Sequence, residues 1–227
     1  MRAIILAAGL SHRFVEAGYN TPKPFLKIDY RGNIQTMLDH VICTVPCGFS
    51  VAVAIPTGYM RIGTKILTGR SVYYHEIAKT RGPADTALQI LNVLGGTGPA
   101  MIMDADVLNF TNDLVRLSIQ ACGVLVSESA NPAFSYVDKL GKFSRVEEKK
   151  RISKYAVRGA YYFSEEAMPD LMHGLNEVTS FHKEPYVSQV FEYIKVNTTA
   201  VLTTYTPMEW GTPRDITLSG AHIIKEK

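Results

Sequence analysis

The sequence predicts an α/β fold, a three-layer sandwich around a mostly parallel central sheet. Three observations lead to it. Short apolar runs alternate along the chain with amphipathic segments, the pattern of a sheet covered by helices. Several runs are apolar throughout, as strands buried on both faces require. Between them lie apolar stripes at helical spacing.

The first strand is expected at 2–8 (RAIILAA). Further strands are expected at 50–55 (SVAVAI), 71–75 (SVYYH), 100–104 (AMIMD), 122–127 (CGVLVS) and 157–163 (VRGAYYF). Ile34, Met37, Leu38, Val41 and Ile42 fall on one face of a helix. Residues 83–94 (PADTALQILNVL) begin with a proline suited to a first turn and carry Ala84, Ala87, Leu88 and Leu91 on one side. A helix is expected at 184–195, with Val187, Val190, Phe191 and Ile194 inward. At Thr212 the order threonine, proline, Asp215 reads as a capped helix start. The mixed-charge stretch 129–157 reads as a small inserted hairpin, lid-like over one end of the sheet. The whole chain, 1–227, is expected to form a single domain. In open sheets of this Rossmann-like kind the ligand sits at the carboxyl ends of the strands.

At 227 residues, 46% hydrophobic and 20% charged, the chain can bury a full core. A formal charge of +3 suits an anionic small molecule and falls short of a nucleic-acid footprint. No apolar run reaches membrane-span length, and no small-residue cleavage site follows the first apolar segment, so a cytoplasmic protein is expected. Cys43, Cys47 and Cys122 match neither a disulfide framework nor a zinc pattern and are expected as core thiols.

The loop after the first strand concentrates the chemistry. Gly9 allows backbone N–H groups to approach an anion, and Arg13 and Lys23 bring two cations, the lysine between Pro22 and Pro24. There is no G-x-G-x-x-G and no G-x-x-x-x-G-K-[ST], so neither a dinucleotide site nor a P-loop is supported. No Ser-His-Asp or Cys-His set stands out, and the six histidines show no ligand spacing.

Leu6-Ala7-Ala8-Gly9-Leu10-Ser11-His12-Arg13, followed by Pro22-Lys23-Pro24, resembles the signature of the nucleotidyltransferases with a glycosyltransferase-A-like fold, the sugar-phosphate nucleotidyltransferases and their cytidylyltransferase relatives. Ser11 stands where many members have a second glycine. Arg81-Gly82-Pro83-Ala84-Asp85-Thr86-Ala87 resembles the family's segment that meets the nucleobase. Met103-Asp104-Ala105-Asp106-Val107 is similar to its acidic metal motif. Val146-Glu147-Glu148-Lys149, Ser153-Lys154-Tyr155-Ala156 and Gly159-Ala160-Tyr161-Tyr162-Phe163 resemble its acceptor-binding segment. Glu209-Trp210-Gly211-Thr212-Pro213 is similar to its late motif, with glutamate in place of aspartate.

The resemblance implies an enzyme that joins a nucleoside triphosphate to a sugar-1-phosphate or related phosphate monoester and releases pyrophosphate. It implies that Leu6, Ala7, Ala8, Gly9 and Gly82 bind the nucleotide and that Arg13 and Lys23 are the catalytic cations. It further implies that Asp106 and Glu209 hold Mg²⁺ or Mn²⁺, and that Glu148, Lys149, Gly159 and Tyr186 face the acceptor. Asp104 is left open between a water-mediated metal contact, an orienting role and the ribose. Asp85 and His75 are lesser candidates, as is Ser188. Surface-polysaccharide precursor supply is the implied setting, with no nucleic-acid or membrane partner and with a homo-oligomer left open.

The inventory suits that chemistry. Two anions must meet, and like charges about 4 Å apart repel by about 4 kcal/mol at an effective dielectric of about 20, so cations have to gather them. A phosphate nucleophile is already ionised, which leaves positioning and charge stabilisation as the catalytic work. A glycosyltransferase with a nucleotide-sugar donor would leave the early Arg13 and Lys23 unexplained. A non-catalytic nucleotide sensor would not need both charge sets.

Overall fold

The computed structural model describes residues 1–9, 11–59 and 71–224. Leu10 of the opening motif lies outside them. The chain begins with β1 (Arg2–Leu6), α1 (His12–Glu16), β2 (Lys27–Tyr30), β3 (Asn33–Thr36), α2 (Met37–Thr44), β4 (Ser50–Pro56) and β5 (Val72–Ile77). It continues through α3 (Pro83–Val93), β6 (Ala100–Asp104), β7 (Val107–Leu108), α4 (Thr111–Ser118) and β8 (Cys122–Glu128). Three short strands follow, β9 (Tyr136–Val137), β10 (Gly141–Lys142) and β11 (Val146–Glu147), then β12 (Tyr155–Phe163) and α5 (Met168–Phe181). The last elements are β13 (Thr198–Leu202), β14 (Met208–Glu209), α6 (Pro213–Leu218) and β15 (His222–Ile223).

The main sheet runs β10-β13-β8-β12-β6-β1-β4-β5. β5, β4, β1 and β6 are mutually parallel, and β13 is parallel to β8. Only β12 among these long strands is reversed, antiparallel to both β6 and β8. Side chains alternate between the two faces, as a pleated strand demands. Ile4 and Ile102 enter a core with α3 and α5, whereas Ala3, Ile5, Met101 and Met103 enter one with α2 and α4. Those two cores make the three layers.

Local chemistry accounts for the departures from the sequence reading. β1 ends at Leu6, two residues earlier than the apolar run; Ala7 lines the site and Ala8 faces the core. Ile34, expected on the buried face of a helix, lies in the β2–β3 hairpin and is exposed. The helix starts later because Thr36 caps it: its hydroxyl accepts the Asp39 N–H at 3.1 Å while the Asp39 carboxylate accepts the Thr36 N–H at 3.3 Å. The helix expected at 184–195 is a 3₁₀ segment over Val187–Glu192. Tyr186 stays extended as its N-cap, its N–H donating to Gln189 Oε1 at 2.8 Å, and Val187, Val190 and Phe191 still point inward. The sequence reading places no helix over the 14-residue α5. Pro169 sits in its first turn, and Gly174 lets Tyr193 pack closely. Cys43 and Cys47 are exposed, and only Cys122 is a core thiol.

Within 129–157, β9 pairs with β11 and touches β12, while β10 joins the sheet edge beside β13. Among the described residues no helix is long and apolar enough to cross a membrane.

Trp210 pins the late motif to the core. It is fully buried, stacks edge-on against Tyr30 and His40, and its indole N–H donates to Ser219 Oγ at 2.9 Å. Trp210→Ala is expected to cost about 3–5 kcal/mol in urea unfolding. A loss below about 1 kcal/mol would contradict this anchoring role.

Candidate active site

Parallel pairing of β1 with β6 sets Leu6 beside Asp104. The glycine loop and the acidic motif therefore leave the sheet at neighbouring carboxyl ends. They open into a cleft of about 720 Å³ lined by Leu6, Ala7, Gly9, Lys23, Asp104 and Asp106, with Gly82 and Tyr186 on its far wall. Ala8 is turned into the core.

The loop delivers its lysine through Ser11. This residue takes a left-handed backbone, φ 54°, where a glycine would be unstrained. Its hydroxyl accepts the Lys23 N–H at 3.0 Å, a bond glycine could not make. Lys23 Nζ then donates to Asp106 Oδ2 at 2.5 Å. Arg13, on α1, comes to the same place. A Cβ on Gly211 would lie 3.7 Å from Arg13 Nη1, 3.9 Å from Asp106 Oδ2 and 3.5 Å from Asp215 Oδ2.

Asp104 is closely confined. Burial, then the charges of Asp106, Glu148 and Glu209, push it up to about 7 against the pull of Lys23. Gly159 explains the confinement. Its φ of +56° falls in the register shift between Val157 and Tyr161, and an added Cβ would lie 2.6 Å from Asp104 Oδ2. Glu209 hydrogen-bonds across β14 to β7, and Trp210 N donates to Asp106 O at 2.8 Å, which ties the two acidic segments together. Burial raises the Glu209 carboxyl, with Asp106 and Asp215 adding to it and Arg158 opposing.

On the acceptor side, Glu148 Oε2 accepts from Ser188 Oγ at 2.7 Å and from Ser135 Oγ. Lys149, also left-handed at φ 52°, donates to Tyr186 Oη and lies 4.3 Å from that ring's centroid, with Glu184 Oε2 at 3.4 Å. Gly82 admits the carbonyl of Pro185, which would sit 2.5 Å from an added Cβ and which accepts the Ala84 N–H at 3.0 Å. Asp85 is spent on Arg81 and Gln89. His75 sits on edge strand β5, away from the residues lining the cleft.

Sequence reasoning missed Arg158, Ser135 and Glu184. Arg158 could have been found: it is the lone charge in the otherwise apolar β12. The serine and the exposed glutamate carry no comparable signal.

Among the described residues no three His, Cys, Asp or Glu side chains would hold a metal by themselves. A magnesium ion needs less, since one or two carboxylates suffice when water and phosphate complete the octahedron. Asp106 and Glu209 fit that demand. Each gives one oxygen to a cation, Lys23 or Arg158, and the other oxygen of each accepts no hydrogen bond among the described residues.

No protein-family model and no curated protein matches the sequence. Solved structures do. A nucleoside-diphosphate-sugar pyrophosphorylase from Vibrio cholerae RC9 superposes with a TM-score of 0.73 at 21% identity, over 95% of this chain and 98% of that one. The chain has the sugar-nucleotide pyrophosphorylase fold. A UTP-bound UGPase from Acinetobacter baumannii gives 0.76 at 15% identity over 96% and 91%. A UDP-glucose pyrophosphorylase complexed with UDP-glucose gives 0.74 at 13% over 96% of each chain.

The acidic crowding has a stability consequence. The folded-state pKa of Asp104 lies above its unfolded value near 3.8, so the native state holds the extra proton between about 4 and 7, and stability falls as pH rises through that window. Asp104→Asn removes the charge. It is expected to melt at least as high as the parent at pH 8, with the advantage shrinking toward pH 5, in thermal scans. A loss of stability that is the same at every pH would contradict the assignment.

Proposed function

We propose that this protein is a metal-dependent nucleotidyltransferase that couples a nucleoside triphosphate to a sugar-1-phosphate or related phosphate monoester and releases pyrophosphate. The observation that carries the reading is the meeting of Lys23 with Asp106 in the cleft at the carboxyl ends of β1 and β6, with Arg13 Nη1 and Asp106 Oδ2 both beside Gly211. Two cations beside a cluster of carboxylates suit a polyanion that arrives with its own cation. The fold shared with the UDP-glucose pyrophosphorylases supports the same reading.

In the proposed reaction an oxygen of the acceptor phosphate attacks the α-phosphorus. A new P–O bond forms as the bond to the bridging α–β oxygen breaks, and its electron pair leaves on pyrophosphate. The Gly9 loop cradles the phosphates with backbone N–H groups. Arg13 binds the departing pyrophosphate with a planar fork, and Lys23 follows the reacting phosphates as a compact charge. Magnesium or manganese, held by Asp106 and Glu209, supplies charge neutralisation at the α-phosphate when bound. Lys149 binds the acceptor phosphate, held in place by Tyr186, and Glu148 keeps Oε1 for an acceptor hydroxyl while the two serines occupy Oε2. The acceptor's reactive oxygen is already ionised, so no side chain need remove a proton.

A matrix of four triphosphates against a panel of phosphorylated acceptors, read by pyrophosphate release, tests the activity. At least one pair should turn over in the presence of Mg²⁺, and none after chelation. Absence of pyrophosphate from every pair would overturn the reading. Arg13→Ala and Asp106→Asn should each lower turnover at least ~100-fold with the fold intact, the usual cost of one preorganised electrostatic contact. Lys149→Ala should mainly raise the acceptor KM; lost triphosphate binding with unchanged acceptor saturation would contradict its role.

A further inference from the structure

One buried charge has no part in this scheme. Arg158 is 5% exposed, on a strand otherwise built of core residues. A guanidinium so placed is tolerated only when its donors are matched. Nη1 donates to Glu209 Oε1, Nε donates to Ser127 Oγ at 2.5 Å, and Phe134 presents its ring 4.4 Å from Cζ. The backbone is held as well, since Asn109 Nδ2 donates to the Arg158 carbonyl at 3.3 Å. The next residue is Gly159, packed against Asp104.

The same register shift therefore seats Gly159 on one acidic side chain and Arg158 on another. Glu209 has one methylene more than an aspartate, and its reach ends on this arginine. A carboxylate at 209 without the arginine would face Asp106, Asp104 and Asp215 with no fixed counter-charge.

We propose that Arg158 is a positioning residue that fixes the Glu209 carboxylate beside Asp106, so that the two present their remaining oxygens to one divalent cation. The inference rests on the metal-dependent reading above. Arg158 is not among the residues lining the cleft. Its effect passes through Glu209, with Ser127 and Phe134 holding the guanidinium plane. An ammonium could replace the charge but not the two-sided geometry.

The test compares Arg158→Met, Arg158→Lys, Ser127→Ala, Glu209→Gln and the Arg158→Met/Glu209→Gln double variant. Mn²⁺ binding is titrated by electron paramagnetic resonance without turnover, beside kcat, triphosphate KM and thermal unfolding. Arg158→Met is expected to weaken Mn²⁺ binding at least tenfold and to lower kcat at least 30-fold, with KM changed less than threefold. Arg158→Lys should recover part of the Mn²⁺ affinity. The double variant should be no worse than Glu209→Gln alone.

Unchanged Mn²⁺ binding in a folded Arg158→Met protein would overturn the proposal, as would losses that multiply independently in the double variant. If Arg158→Met does not fold, Ser127→Ala decides: a two- to fivefold loss of Mn²⁺ affinity that vanishes in a Glu209→Gln background supports the proposal, and no loss overturns it. A parent protein that binds Mn²⁺ but releases no pyrophosphate would count against the functional reading, while the Mn²⁺ titrations would still decide the role of Arg158.

Discussion

The site depends on one register. Because β1 and β6 are parallel neighbours with Leu6 opposite Asp104, the loop that follows one strand and the acidic turn that follows the other must share a single end of the sheet. Lys23 and Asp106, 83 positions apart in the chain, then close to 2.5 Å. Slipping the pairing by one residue would turn every side chain of β1 to the opposite face. It would also break the two cores that alternate across the strand. Core packing and site geometry are thus enforced by the same alternation, and the helices of both layers secure it.

Charge is then distributed with little waste. Lys23 answers Asp106, Arg158 answers Glu209, and Tyr186 and Glu184 hold Lys149. Asp104 is confined without a contacting cation among the described residues, and its carboxyl is driven toward neutrality as a result. Such crowding works against folding, and it is concentrated where a divalent cation would relieve it. Two of the three non-glycine residues in the left-handed region among the described residues, Ser11 and Lys149, also lie here. Ser11 lines the cleft and holds the Lys23 backbone, and Lys149 reaches Tyr186 on its wall, in keeping with the tendency of strain to gather at functional sites.

Much of this was legible in the sequence. The apolar runs of β4, β6 and β8 marked central strands because burial on both faces leaves no polar alternation to read. Gly9 and Lys23 stood out because their residue types on a loop after the first strand suit phosphate chemistry, and Asp104 and Asp106 through the resemblance to an acidic metal motif. What was hidden depends on tertiary context. Pro169 and Gly174 look like breakers until one is seen in a first turn and the other under Tyr193. The apparent helical stripe after Pro185 winds only as a 3₁₀ segment starting at Val187, while its apolar side chains stay buried. Ser11 reads as a weakened glycine and instead supplies the hydroxyl that holds Lys23. Arg158 was visible as a charge among apolar neighbours, but its partner at 209 is 51 positions away and no local pattern joins them.

The central claim is that these charges gather one triphosphate for attack at its α-phosphorus. Its most direct measurement follows the label in parallel reactions with α-³²P and γ-³²P triphosphate, a phosphorylated acceptor and Mg²⁺. The account predicts that α-label moves into a product containing the acceptor while γ-label is recovered in pyrophosphate. Recovery of γ-label as orthophosphate or on the acceptor, with the α-label left on an unaltered nucleotide moiety, would contradict it.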